Sequence, residues 1–94
     1  MATLTPKQIK AALPKARDWR KTGASIARTF QFQDFPLAMT FVNQVARAAE
    51  KAQHHPDIDI RWNKVTLTLS THSEGGLTLK DFALAQQINA LAAE

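Results

Sequence analysis

The sequence predicts an α+β fold: a four-stranded antiparallel sheet with three helices packed on one face, in the order helix-strand-strand-helix-strand-strand-helix. Three observations predict it. Segments with apolar residues at helical spacing alternate with segments whose apolar residues recur every second position. The connections between paired strand segments are tight, which favours antiparallel neighbours. Each element has one apolar stripe, so we expect the helices to share one face of the sheet.

The composition bounds the chemistry. The 94 residues are 45% hydrophobic and 21% charged, which predicts one folded domain spanning residues 1–94. Cysteine is absent, so disulfides, zinc-thiolate sites, iron-sulfur clusters and thiol nucleophiles are excluded. Catalysis, if any, must rely on histidines, carboxylates or hydroxyls.

Location and charge give weaker information. No apolar run approaches the roughly 20 residues that span a bilayer, and the first residues lack a signal-peptide core, so we expect a cytoplasmic protein without membrane association. The net charge of +4 raises the question of nucleic acid. The basic residues are scattered, however, and a solvated surface explains their densest stretch, residues 15–21, about as well as a phosphate-binding patch. Nucleic-acid binding is therefore not favoured.

The first half of the chain begins with a short helix. Thr5 is its expected N-cap, Pro6 lies in the first turn, Gln8 completes a capping box and Pro14 ends the helix. Strands follow from Trp19 onward, around a turn at residues 22–23. The second strand shows the period of two expected of a sheet, in which Ile26, Arg28, Phe30 and Phe32 alternate with Ala27, Thr29 and Gln31.

The longest helix is expected to start at Asp34 as N-cap and to stop by about His54, because Pro56 disfavours the helical conformation at His55. Its predicted apolar stripe consists of Leu37, Phe41, Val45, Ala48 and Ala52, with Ala38, Val42, Ala46 and Ala49 beside it.

A strand hairpin follows, with Asn63-Lys64 as the expected two-residue turn. That turn would pair Trp62 with Val65, Ile60 with Leu67 and Ile58 with Leu69. Extended outward, the same register places His55 beside His72 on the face opposite the apolar residues, with His54 approaching from the junction with the long helix.

Two features predict the start of the last helix. Gly75-Gly76 ends the preceding strand, and Thr78 and Asp81 form a second capping box. We expect it to bury Phe82, Ala85, Ile88, Leu91 and Ala92.

The three histidines, His54, His55 and His72, lie within the hairpin or its flanks. Imidazole has an ordinary pKa near neutrality, so a pair of histidines can divide acid and base roles. Isolated histidines are often only surface or core residues, and the pattern alone leaves both readings open. A metal site is less favoured, because adjacent residues on a strand point apart and no acidic ligand has suitable spacing.

Other polar and aromatic residues allow two readings each. Glu50 lies four residues before His54 and pairs with it if the helix extends that far; otherwise it is a solvated acid. Asp81 is either a capping residue alone or also a contact to substrate. Trp19 and Trp62 are able to stack on a flat heterocycle, although aromatic residues in a small domain are more often part of the core. The glycines match no phosphate-binding loop.

Linked blocks at fixed spacing resemble the signature of the pterin-4a-carbinolamine dehydratases. The resemblance runs from about Trp19 to Ile88, with Ile58, Trp62 and Gln53 as departures. Its blocks are Asp34-Phe35, Ala49-Glu50-Lys51-Ala52-Gln53-His54-His55-Pro56-Asp57, Trp62-Asn63-Lys64-Val65, Leu69-Ser70-Thr71-His72, Gly76-Leu77-Thr78, Asp81 and Leu84-Ala85.

The resemblance implies a lyase that removes water from a 4a-hydroxytetrahydropterin, giving quinonoid dihydropterin and recycling the cofactor of aromatic amino acid hydroxylases. It implies His54, His55 and His72 as the catalytic residues, with His54 and His72 expected in proton transfer and His55 in orienting substrate. No cofactor and no metal are expected. The implied substrate contacts are Glu50, Pro56, Thr71, Ser73, Glu74 and Asp81.

The expected partners are the pterin substrate, a second or further copies of the chain in a homodimer or homotetramer, and a functional link to a hydroxylase. Exposed sheet edges favour self-association. The alternative function is a non-catalytic protein that dimerises or stabilises another protein, as some relatives do.

Overall fold

The four strands form one antiparallel sheet and the three α-helices complete the predicted α+β order, in a computed structural model that describes residues 2–93. The strands are β1 (Arg20–Thr22), β2 (Ser25–Gln31), β3 (Asp57–Arg61) and β4 (Lys64–Leu69). The helices are α1 (Pro6–Ala12), α2 (Phe35–Ala52) and α3 (Leu79–Ala92), and short 3₁₀ turns cover Leu13–Lys15 and His72–Glu74.

The helix starts follow the local chemistry of the sequence. Thr5 and Gln8 form the predicted capping box of α1, and Thr78 and Asp81 form that of α3. Asp34 caps α2 by accepting a hydrogen bond from the backbone N–H of Leu37. Each cap satisfies N–H groups that lack a partner inside the helix, which explains why these boundaries are readable from sequence.

The sheet order is β1-β2-β4-β3, so β2 and β4 are central and β1 and β3 are the edges. The side chains of Ile26, Val65, Leu67 and Leu69 are fully buried beneath the helices. The helices contribute to the same core; their buried apolar residues are Ile9, Ala38, Phe41, Val42, Val45, Ala49, Phe82, Leu84, Ala85 and Ile88.

The helix stripes are partly corrected by the structure. In α2 the buried face is centred on Ala38, Phe41, Val45 and Ala49, and Leu37 is 48% exposed. Successive helix residues are rotated by about 100°, so a face centred on Ala38 turns Leu37 outward. The expected burial of Ala46 and Ala52 is also wrong, since both are exposed, and at the end of α3 Leu91 and Ala92 are only half-buried.

The predicted hairpin register is wrong by two residues. The loop consists of Trp62 and Asn63, so Arg61 pairs with Lys64, Ile60 with Val65 and Ile58 with Leu67. A shift of two residues leaves each side chain on the same face of the sheet, so the apolar residues of β3 and β4 still share one face.

Asn63 explains the slip. Its side-chain amide donates to the carbonyl of Phe32 at 2.7 Å, and its own carbonyl accepts from the N–H of Phe32 at 2.9 Å. Asn63 therefore extends the pairing of β2 with β4, and Trp62 takes the left-handed conformation at φ 52°.

Edge strand β3 keeps its apolar side uncovered. Ile58 and Ile60 pair with buried Leu67 and Val65, and opposite residues of an antiparallel pair share one face. Yet Ile58, Ile60 and the loop residue Trp62 are 39%, 37% and 66% exposed. Across residues 2–93, no helix has the length and apolar character needed to cross a bilayer.

Candidate active site

One small cavity of about 270 Å³ brings the three histidines together. It lies where the end of α2, the end of β4 and the start of α3 meet. Its lining consists of Gln53, His54, His55, Ser70, Thr71, His72, Ser73 and Lys80. Residues far apart in the sequence thus share one polar surface.

The end of α2 positions His54. Gln53 adopts the left-handed conformation, with φ 52° and ψ 42°, and its N–H bonds to the carbonyls of Ala49 and Glu50. The N–H of His54 then returns to the carbonyl of Ala49 at 3.1 Å. This arrangement resembles a Schellman motif, which ends a helix and turns the chain sharply. It directs His54 toward the start of α3.

Asp81 holds His54 in place. His54 Nε2 lies 2.6 Å from Asp81 Oδ1, and the other carboxylate oxygen accepts hydrogen bonds from the Thr71 hydroxyl and the Thr78 N–H, both at 2.9 Å. The carboxylate is fully buried, and the Thr71 and Thr78 hydroxyls are also bonded to each other at 2.8 Å. A buried charge needs such partners, and every hydrogen bond of this group fixes the imidazole more firmly.

The capping-box reading of Asp81 is therefore confirmed, and the structure adds a second task. Asp81 does not line the cavity; it lies behind His54. Sequence reasoning assigned it to a cap or to substrate, whereas its carboxylate orients a histidine.

His55 pairs with Glu50 at 2.5 Å between Nε2 and Oε2. The condition for pairing Glu50 with His54 is not met, because α2 ends at Ala52 and the chain turns at Gln53, so the helical four-residue spacing does not reach His54. The side chains of His55 and Glu50 are 58% and 73% exposed, so water screens this pair far more than the buried one.

His72 lies on the loop after β4. The strand ends at Leu69, and Thr71 then pairs with Gly76 through hydrogen bonds of 3.0 and 3.3 Å. Between them the chain makes a 3₁₀ turn that Gly75 closes at φ 78°. The expectation that His72 continues the strand opposite His55 is therefore wrong, although His72 does line the same cavity.

The remaining expected site residues divide into two groups. Thr71 and Ser73 line the cavity, whereas Glu50, Pro56, Glu74 and Asp81 do not. Among the two tryptophans, Trp19 is buried and donates to Asn89 Oδ1 at 2.8 Å, while Trp62 is exposed at the hairpin loop. Neither lines the cavity.

Three lining residues were not expected from sequence: Gln53, Ser70 and Lys80. Gln53 directly precedes the histidine pair and Ser70 lies two residues before His72, so proximity was their only signal. No sequence signal pointed to Lys80, because an isolated lysine near the start of a helix is usually a solvent-exposed residue.

The arrangement suits proton transfer. Three histidines line one cavity, and no Asp or Glu of residues 2–93 is among its lining residues. The carboxylates of Asp81 and Glu50 are bonded to Nε2 of His54 and of His55, respectively. Such carboxylates fix the tautomer and stabilise the imidazolium that forms when the ring accepts a proton. Within the described part of the chain, residues 2–93, no group of three or more histidines and acids is arranged to hold a metal ion.

The fold and the site define a small α+β protein with an imidazole-lined cavity. The family model described as pterin 4 alpha carbinolamine dehydratase matches residues 2–91, and the chain belongs to this family. It is 56% identical over 89 residues to a protein of Nocardia farcinica, covering 95% of this chain and 94% of that one. It is 54% identical over 91 residues to one of Acidobacterium capsulatum, covering 97% and 99%. Both carry the pterin-4-alpha-carbinolamine dehydratase name provisionally.

Two solved structures are similar. A transcriptional coactivator/pterin dehydratase from Brucella melitensis superposes with a TM-score of 0.92 at 40% identity, covering 96% of this chain and 98% of that one. A pterin dehydratase-like protein described as a RuBisCO assembly factor in the alpha-carboxysome gives a TM-score of 0.73 at 24% identity, covering 85% and 95%. The second likeness supports the fold alone.

Proposed function

We propose that the protein is a hydro-lyase that converts 4a-hydroxytetrahydropterin into quinonoid dihydropterin by histidine acid–base catalysis. The observation that carries this proposal is the single cavity lined by all three histidines, two of them bonded to carboxylates. By this proposal the protein recycles the tetrahydropterin cofactor of an aromatic amino acid hydroxylase.

The reaction requires two proton transfers. The bond between C4a and the hydroxyl oxygen breaks, and the oxygen leaves as water after it receives a proton. A base removes the proton of the neighbouring ring nitrogen, whose electron pair forms the new double bond to carbon. No electrons are gained or lost, so an acid and a base on either side of the ring are sufficient.

His54 is the better candidate for the base. Its Nε2 is bonded to the buried Asp81 carboxylate, which accepts hydrogen bonds, so Nε2 carries the proton and Nδ1 is left to accept one. Asp81 then stabilises the imidazolium without being protonated itself, as the carboxylate does in a serine-protease triad.

His72 is the better candidate for the acid. Its side chain is exposed on a loop and lines the cavity, so it can donate a proton and regain one from water. His55, held by Glu50 at the surface, serves to orient substrate together with Thr71 and Ser73. In this scheme Glu50 and Asp81 act through the histidines, and Pro56 and Glu74 shape the segments that carry them.

The test is the decay of 4a-hydroxytetrahydropterin generated by a hydroxylase, followed by ultraviolet absorbance with and without the protein. We expect faster decay with the protein, at a rate that excess chelator leaves unchanged. A decay rate equal to that of buffer would overturn the proposal. Loss of the acceleration on chelation, restored by a divalent metal, would overturn the metal-free mechanism alone.

A second candidate is a non-catalytic protein that dimerises or stabilises a partner. The specific observation in its favour is the uncovered apolar side of β3, since exposed apolar surface commonly marks a protein interface. The same decay assay separates the two functions. A protein that binds pterin but does not accelerate decay would favour this candidate.

A further inference from the structure

One lysine, Lys80, contributes to the lining of the histidine cavity. The other lining residues are the three histidines, Gln53, Ser70, Thr71 and Ser73, and among residues 2–93 no Asp or Glu contributes to the lining. The two acids of the site, Glu50 and Asp81, lie behind His55 and His54 and are bonded to them. Lys80 is exposed, and among the ion pairs formed within residues 2–93 none involves it.

The fold gives little reason for a lysine at this position. Lys80 lies in the first turn of α3, where a positive charge opposes the helix dipole. Its backbone N–H bonds to the Thr78 hydroxyl at 3.3 Å, but any residue except proline supplies that N–H. The side chain is therefore available for a ligand.

The cavity size indicates which part of a ligand meets Lys80. At about 270 Å³ it is smaller than the roughly 300–1,000 Å³ of typical ligand sites, so it holds a bicyclic ring and little more. A ring between the histidines then leaves its substituent outside the cavity, and the exposed Lys80 is the cationic side chain among the lining residues that such a substituent can reach.

We propose that Lys80 binds an anionic group, a phosphate or a carboxylate, on the side chain of the pterin. The inference rests on the proposed function and narrows its substrate to tetrahydropterins with an acidic substituent. Lys80 is then a specificity-determining residue, distinct from the three histidines that act on the ring.

The experiment compares two stable ligands, 7,8-dihydroneopterin and its 3′-phosphate, by fluorescence titration. We expect the phosphate ester to bind roughly threefold to fivefold more tightly, as a solvent-accessible ion pair allows. Lys80→Gln should remove this preference by weakening the binding of the phosphate ester more than that of the neutral compound, whereas Lys80→Arg should keep it. 7,8-Dihydrofolate, tested in the same way, distinguishes a carboxylate from a phosphate.

Lys64→Gln is the matched control, because Lys64 is also exposed but does not line the cavity. Lys64→Gln should keep the preference for the phosphate ester. In the wild type, added salt should weaken that preference. Equal affinities for both compounds in the wild type, or an equal effect of the two lysine variants, would overturn the inference alone.

Failure of every compound to bind would overturn the proposed pterin site as well. Absence of dehydratase activity despite selective binding would overturn only the proposed reaction.

Discussion

His54 Nε2 and Asp81 Oδ1 lie 2.6 Å apart, with the carboxylate fully buried and the imidazole side chain 11% exposed. Their 27-residue separation in the chain is bridged because α2 ends and α3 begins at the same place. The pair links the capping of α3 to the orientation of the His54 imidazole.

The substitution Asp81→Asn tests this link. The amide oxygen must replace Oδ2, which accepts from the Thr78 N–H, so the amide NH₂ faces His54 and forces the imidazole proton onto Nδ1. His54 then loses its proton-accepting nitrogen, and we expect kcat to fall by about 10² or more with little change in KM. Steady-state kinetics measures this split, with Asp59→Asn on exposed β3 as the control. An equal rate in both variants would contradict the orienting role.

The substitutions His54→Ala and His72→Ala address the chemistry directly. Each removes a proposed proton-transfer group, so we expect turnover to fall by about 10²- to 10⁴-fold. Circular dichroism should show an intact fold in both. Unchanged turnover in both folded variants would mean that the histidines are not catalytic.

The substitution Glu50→Gln should be much milder than Asp81→Asn. The pair with His55 is exposed to solvent, and such ion pairs are worth about 1 kcal/mol at most, so we expect kcat/KM to fall by less than about fivefold. Kinetics at low and high salt would show the small effect vanish as salt rises. A loss as large as that of Asp81→Asn would identify His55 as the base instead.

Edge strand β3 should mediate self-association. Ile58 and Ile60 expose apolar surface beside unpaired backbone groups, and pairing two such edges across a two-fold axis covers both. We expect light scattering to give a multimer at micromolar concentration, and Ile60→Lys to shift it toward monomer. Thr22→Lys on the opposite edge is the control and should leave the mass unchanged. A monomeric wild type would refute the prediction.

Asn63 should contribute to stability through its side chain. Asn63→Ala leaves the Phe32 carbonyl without its buried donor, which we expect to lower the free energy of unfolding by about 1–3 kcal/mol. Asn43→Ala on the exposed side of α2 is the matched control and should change it by less than about 0.5 kcal/mol. Urea unfolding measures both, and equal midpoints would show that the contact with Phe32 is unimportant.

Sequence reasoning succeeded where the controlling interactions are local. The caps at Thr5, Asp34 and Thr78 involve residues only two or three positions apart, so their chemistry is visible in the sequence. The periodicity of strands and helices is equally local and predicted the fold order.

Sequence reasoning failed where a residue forms hydrogen bonds with a partner far away in the chain. The hairpin register depends on Phe32, which lies 31 residues before Asn63, and a turn rule based on asparagine alone cannot contain that information. The role of Asp81 likewise depends on His54. The three histidines do line one cavity, but the hydrogen-bond partner of His54 depends on the packing of α2 against α3, which the sequence does not show.

The 18 residues of α2 connect the cap at Asp34 to the left-handed Gln53 that aims His54. Deleting one residue would rotate everything beyond it by about 100° and draw it back by about 1.5 Å, separating His54 from Asp81. Side chains along this helix can therefore vary in evolution more freely than its length. Insertions and deletions among relatives are expected instead at the turn around Gly23, which leaves the distance between the two ends of α2 unchanged.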